Sequence, residues 1–186
     1  MTLPPFDAHI RPPVLPESDV SYAVDDFAVG RLLMAVTSTG RLVLCRYAAS
    51  AADEDAWLGR VAASVSPRVL RQARPLDGVR HEIEDYLAGR RTHFEVEPDL
   101  SVASAFQREV LNGLGHTAFG SRTTYGALAQ DIGRPRAARA VGTALGANPV
   151  CLVVPCHRVL PGSGGVGGYA GGTQAKEFLL TLESAG

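Results

Sequence analysis

At 186 residues the chain can bury one sizeable core or two small ones. Its apolar share of 46% is ordinary, no run of about 18 apolar residues occurs, and the N-terminus lacks a basic stretch followed by an apolar one, so neither a membrane span nor a secretory leader is expected and a cytoplasmic setting follows. The net charge of −1 excludes nothing by itself, and three cysteines without paired spacing argue against a disulfide framework or a zinc cage.

Taken in order, residues 1–25 contain several prolines and little periodicity, which predicts an extended arm. Residues 31–36 and 41–47, separated by Ser38-Thr39-Gly40, predict a β-hairpin with one buried face, and Cys45 falls in its second strand as core. Residues 53–65 predict an amphipathic helix with Trp57, Leu58 and Val61 inward, and residues 69–74 another strand. Asp77 then caps a helix carrying Val79, Ile83, Tyr86 and Leu87 and closed by Gly89. Residues 94–97 predict a strand before a junction at Pro98.

The second half opens with Ser104 and Gln107 at capping-box spacing, ahead of a helix with Phe106, Val110, Leu111 and Leu114 on one face. Thr124 caps a short helix, and Pro135 sits at the first position of another over residues 136–145. Two short helices around a glycine-containing turn fit either a helix-turn-helix or an ordinary helical hairpin. From Ser104 onward seven basic residues, Arg158 and Lys176 among them, stand against four acidic ones, a net +3, whereas the remainder has eleven against fifteen. The C-terminal half is therefore the one a polyanion would choose.

Residues 150–154 are apolar and β-branched-rich, bounded by prolines, and predict a buried strand or extended segment; Cys151 within it is assigned to the core. Pro155 fixes the backbone ahead of Cys156. Cysteine is the best side-chain nucleophile, but only as thiolate, and the neighbouring His157 is a candidate base. A buried structural thiol beside a surface histidine is the plainer alternative for an arbitrary Cys-His pair. Residues 161–172 are glycine-rich without the spacing of a phosphate loop, and a final helix from Thr173 presents Ala175, Phe178, Leu179 and Leu182 as its buried stripe. Lys176 and Glu183 lie about two turns apart on that helix and share a face.

The run Asn-Pro at 148–149 followed by Pro155-Cys156-His157-Arg158-Val159 resembles the active-site signature of the O6-alkylguanine-DNA alkyltransferases, firmly from about Ala105 to Glu183 and more faintly upstream. The resemblance implies an α/β (α+β) fold: a small N-terminal α/β (RNase H-like) supporting domain over residues 26–98 and a mostly helical domain over 104–186 with a helix-turn-helix. It implies one irreversible transfer of an alkyl group from O6-alkylguanine, and also from O4-alkylthymine, onto Cys156. His157 would be the base that takes the thiol proton through a water and Glu183 its orienting carboxylate. Tyr125 would donate to the departing guanine and Asn148 would hold the active-site turn. It further implies binding of double-stranded DNA through the minor groove by a monomer, with Arg139 filling the space of the flipped base, Ala137 and Ala138 letting the helix lie close, and Lys176 among the DNA contacts. Main-chain groups of Cys156, Val159 and Ala170 would recognise the base, with Gly167 and Tyr169 in the loop that walls its pocket; Ala170 stands where the family often has serine. No metal and no organic cofactor is implied.

Other readings of the same residues are a cysteine hydrolase or acyltransferase, which would turn over and leave the arginine-bearing helix pair without a purpose; a damage-binding protein without chemistry, which Cys156 argues against; and a transcription factor, for which the chain has no room for a second regulator domain.

Overall fold

The computed structural model describes residues 19–184. Strand β1 (Val20–Phe27) turns back into β2 (Gly30–Thr37), which pairs antiparallel with β3 (Leu42–Tyr47) through a register shift at Ala35/Val36. A short β4 (Val69–Arg71) adds parallel to β1, giving the order β3-β2-β1-β4. The predicted arm is thus corrected: residues 1–18 lie outside the described residues, and 20–25 are strand.

The hairpin is buried on both faces, not one. Leu32, Met34 and Val36 face one side of β2, and Leu33 and Ala35 the other, and all five are buried, as the two-residue alternation of a strand requires when both faces are covered. Helix α1 (Ala51–Ser64) covers the second side, placing Val61, Trp57 and Leu58 against Leu33, Val43 and Leu44. Ser50 caps it, its Oγ accepting from the Asp53 amide.

Helix α2 (Asp77–Leu87) covers the first side with Val79, Ile83 and Tyr86. Asp77 does not cap it. A 3-10 turn over Arg74–Leu76 leads straight in, Leu76 holds the cap position, and the Asp77 carboxylate pairs with Arg80 at 2.6 Å. Residues 94–97 form no strand; Glu82 Oε2 accepts from the amides of Glu95 at 2.8 Å and Val96 at 3.4 Å, replacing the ladder a strand would need.

Helix α3 (Ala105–Gly113) starts at the Ser104–Gln107 capping box, with both reciprocal bonds formed. A two-residue β5 (Thr123–Thr124) leads into α4 (Tyr125–Asp131), whose Thr124 cap accepts from the Ala127 amide at 3.1 Å. Helix α5 (Ala138–Gly146) begins later than its proline suggests: residues 134–137 form a turn closed by the Ala137 amide on the Arg134 carbonyl. After a 3-10 turn over Cys156–Arg158 comes β6 (Val159–Leu160), parallel to β5, and then α6 (Gly172–Leu182). Its buried residues are Ala175, Lys176, Leu179 and Leu180, while Phe178 is 39% exposed. Ala175, Leu179 and Leu182 meet the core as expected, while Lys176 and Leu180 take inward places and Phe178 does not.

One apolar cluster joins the two halves: Leu32, Met34 and Cys45 of the sheet pack with Val110, Val141, Val150 and Leu179. Main-chain bonds reinforce the seam, from the Cys45 amide to Pro149 O at 2.8 Å and from the Cys151 amide to Cys45 O at 2.7 Å. Among the described residues no helix is long and apolar enough to cross a membrane.

Candidate active site

The segment before the cysteine is bent, not a strand. Only Val150 bridges to Cys45; beyond it the chain turns, with Leu152 at φ 70° and the Val154 amide on Val150 O at 2.9 Å. A positive φ is unfavourable for a residue with a γ-branched side chain, so the surroundings must hold it. Asn148 is that holder. Its Oδ1 accepts from the Val150 amide at 2.9 Å, and its Nδ2 donates to Val154 O at 3.0 Å and to Cys156 Sγ at 3.2 Å. The bend thus ends with the thiol on a fixed amide donor.

Three influences pull the buried Cys156 below its ordinary thiol value in spite of its burial: first a hydrogen bond from the Cys151 thiol, then the Asn148 amide, then the charges of Arg46 and Lys176. The Cys151 thiol also lies within donating distance of Asn148 O, at 3.6 Å. Cys151 is itself pushed well up, by its bond to Cys156 and by burial, and Cys45 is pushed up to about 12, chiefly by burial. Of the three buried thiols, Cys156 is the one drawn below its ordinary value.

Arg46 reaches this turn from the sheet. Its Nη1 donates to Asn148 O at 2.7 Å and Gly146 O at 3.1 Å, and its guanidinium lies 4.4 Å from the Trp57 ring centroid.

His157 is fully buried, with Nε2 2.7 Å from Glu183 Oε1. Burial pulls the imidazole below its ordinary value, outweighing the carboxylate that would raise it. Neutral histidine hydrogen-bonded in this way carries its proton on Nε2, leaving Nδ1 as a lone-pair acceptor; Nδ1 has no partner within the protein. Glu183 is held down to about 2: burial would raise it, but hydrogen bonds from His157 and Arg158 prevail. Arg158 donates from Nε to Oε2 at 2.9 Å and from Nη2 to Oε1 at 3.0 Å, and its Nη1 reaches Thr117 O at 2.6 Å.

Arg158, one of the seven basic residues of the C-terminal half, thus lies in a buried ion pair. Lys176 is 1% exposed, and its Nζ donates to Val159 O at 2.8 Å and Gly168 O at 3.4 Å, tying the glycine-rich loop to β6. Val159 spends its amide on Cys156 O as well as its carbonyl on Lys176.

Cys156 opens onto a cavity of about 390 Å³ walled by Tyr125, Gly142, Gly146, Gly168, Tyr169 and Ala170. The β5–β6 pair, Thr123 on Val159 and Thr124 on Leu160, brings Tyr125 to the cavity that the thiol lines. Burial and the nearby sulfur push the Tyr125 phenol up, so it is a proton donor at neutral pH. Tyr169 stands edge-on to Tyr47 at 5.4 Å. A Cβ on Gly171 would collide with the Tyr47 ring, and Gly167, at φ 70°, would place one 2.9 Å from Pro161. The loop is a fitted wall.

Of the residues singled out from sequence, Cys156, Tyr125, Tyr169 and Ala170 line this cavity, and Asn148, His157, Glu183 and Lys176 lie buried behind it. Ala137 closes the turn before α5, and Ala138 and Arg139 begin the helix, with Arg139 exposed about one turn before Gly142. Sequence reasoning missed Arg46 and Tyr86, whose partners are distant in the chain, and Gly146, which lies four residues after Gly142 on α5.

Fold and site together define a protein of mixed α and β structure with a buried cysteine at an open cavity and a buried His157, Glu183 and Arg158 cluster beneath it. Residues 105–185 match the family model described as 6-O-methylguanine DNA methyltransferase, DNA binding domain. The crystal structure of Mycobacterium tuberculosis OGT in complex with DNA superposes with a TM-score of 0.74 at 33% identity, covering 89% of this chain and 93% of that one. The chain belongs to the O6-methylguanine-DNA methyltransferase family. A Mycolicibacterium paratuberculosis protein named methylated-DNA–protein-cysteine methyltransferase is 46% identical over 110 residues, 59% of this chain and 66% of that one. A Shigella flexneri protein of the same name is 45% identical over 106 residues, 57% of this chain and 62% of that one. The matched region spans just under two thirds of these relatives.

Proposed function

We propose that the chain repairs DNA by direct reversal, moving the alkyl group of O6-alkylguanine, methyl above all, onto Cys156 once per molecule. The observation that carries this is the placement of one activated thiol at the wall of an open cavity that a phenol also lines. In the displacement the Cys156 sulfur attacks the alkyl carbon, the carbon–O6 bond breaks, and its electron pair leaves on the guanine. Tyr125 supplies a proton to the departing base. The thiol proton passes to His157 Nδ1 through one water, and Glu183 holds the imidazole in the tautomer that can take it. The thioether has no leaving group for water to displace, so the protein is consumed.

A guanine O6 inside the stack is out of reach of a buried thiol, so the nucleotide must be turned out into the cavity. Helices α4 and α5 serve as the helix-turn-helix that does this from the minor groove. Ala137 and Ala138 let the helix approach closely, and Arg139 fills the vacated stack, offsetting a flipping cost on the order of a few kcal/mol. Main-chain groups of Cys156 and Ala170 read the base edge, with Tyr169 as a wall and Gly167 allowing the loop its bend. Val159 joins them, since its carbonyl holds Lys176 with one lone pair and has a second for the base. O4-alkylthymine enters the same cavity. The protein acts as a monomer in the cytoplasm.

The test is intact-protein mass after incubation with duplex DNA carrying O6-methylguanine, beside the variant Cys156→Ser. One methyl per molecule, mapping to Cys156 and absent from the variant, is the expected result. Tight binding to the damaged duplex without an adduct would make the chain a damage sensor and sink the proposal.

A further inference from the structure

Tyr86 belongs to α2 in the N-terminal half, yet its hydroxyl ends inside the proton relay of the C-terminal half. The side chain is fully buried. Its ring packs at 4.8 Å from Phe94 and edge-on to Phe119 at 6.0 Å, so the direction of the hydroxyl is fixed. That hydroxyl donates to Glu183 Oε1 in a close contact and lies 3.5 Å from His157 Nε2. The same oxygen accepts from His157 Nε2 at 2.7 Å and from Arg158 at 3.0 and 3.1 Å. Glu183 Oε2 takes Arg158 Nε at 2.9 Å and the Gly120 amide at 3.2 Å.

We propose that Tyr86 is a positioning residue of the relay: by occupying Glu183 Oε1 beside His157, its hydroxyl fixes the carboxylate and limits how strongly that oxygen draws on the imidazole. An acceptor has finite lone-pair density, and each donor it takes weakens its bond to the others. The imidazolium form is favoured by a strong carboxylate bond. A phenol sharing the oxygen therefore keeps His157 neutral and able to take a proton. Burial and the bond to Glu183 push the Tyr86 phenol up, so it remains a donor throughout the working range.

The groups facing His157 are Glu183 and Lys176 from the C-terminal helix region, Tyr86 from α2, Tyr169 from the glycine-rich loop at 6.3 Å between centroids, and Cys156 and Arg158 on its own turn. Lys176 and Arg158 both disfavour the imidazolium. Tyr86 and Arg158 both act on His157 through Glu183 Oε1, and Tyr86 is the neutral donor of the two.

The role of His157 as base rests on the proposed function, but its titration can be read without DNA. The experiment is an NMR titration of His157 in the full chain with isotope-labelled histidine, comparing wild type, Tyr86→Phe and the chain with 3-fluorotyrosine at position 86. Tyr86→Phe should raise the midpoint by about half a pH unit. The fluorinated phenol, a stronger donor of nearly the same shape, should lower it, which keeps the test decisive even where the phenylalanine variant folds poorly. Methyl uptake from O6-methylguanine duplex by Tyr86→Phe should slow about threefold on the acid limb, the same half unit converted, and rejoin wild type at high pH. Superimposed His157 titrations, or shifts of the same sign in both variants, would reduce Tyr86 to a packing residue and overturn the proposal. Failure of wild type to take up methyl would count against the proposed function alone.

Discussion

The two sides of the Cys156–Arg158 turn differ in the way they use charge. On the cavity side Cys156 and Tyr125 face an open space, and nothing there holds a full charge until the thiol ionises. On the sealed side Arg158 and Glu183 form a buried ion pair, with Tyr86, Gly120 and Thr117 satisfying the remaining donors and acceptors. Burying charge is tolerable only when it is paired and fully hydrogen-bonded. Because Glu183 is neutralised by Arg158, it orients His157 without forcing a proton onto it. The lesson is that the reactive side stays neutral because the closed side is not.

Breaking the sealed side should cost most. Arg158→Met leaves a carboxylate buried without its cation, and removing one partner of such a pair destabilises by about 3–5 kcal/mol; urea unfolding would read this as a lowered midpoint. The open side should respond in kinetics instead. Arg139→Ala should slow methyl transfer from duplex DNA by about ten- to a hundredfold, the equivalent of about 1.4–2.8 kcal/mol of lost flipping support, and slow alkylation by a small thiol reagent far less. A single-turnover comparison of the two reactions would decide it.

Acid should sharpen the contrast more gently. Glu183 falls from 4.5 to about 2 on folding and His157 lies below its ordinary 6.5. For both groups the unfolded chain binds more protons than the folded one, so their contribution is complete above the unfolded values and drains as pH falls. Stability should begin to decline below about pH 6.5 through His157 and more steeply between 4.5 and about 2 through Glu183. Unfolding midpoints measured across that range check the order of the two steps.

Much of this was legible in sequence wherever a side chain talks to its own neighbourhood. The Ser104 capping box and the Thr124 cap are local bonds with local signatures, and both helices begin where those residues stand. Helix α5 has no side-chain cap, so its proline misled by two residues. The apolar run at 150–154 carries a strand's composition, but Asn148 bends it through side-chain bonds that composition does not encode. Cys156, His157 and Glu183 were legible through a motif. Tyr86 was visible only as a member of an apolar stripe, since its hydroxyl finds a partner 97 residues away. Arg158 and Lys176 entered a charge count that has no means of telling a buried cation from a surface one.

The central claim is that this turn prepares one thiol out of three buried ones. Site-resolved alkylation of the folded protein with iodoacetamide across a pH series, read by peptide mass, tests it directly. Cys156 should react with a midpoint below the ordinary thiol value of 9.0, while Cys45 and Cys151 remain unlabelled until the protein unfolds. Labelling of Cys151 at or before Cys156, or a Cys156 midpoint at or above 9.0, would contradict the account.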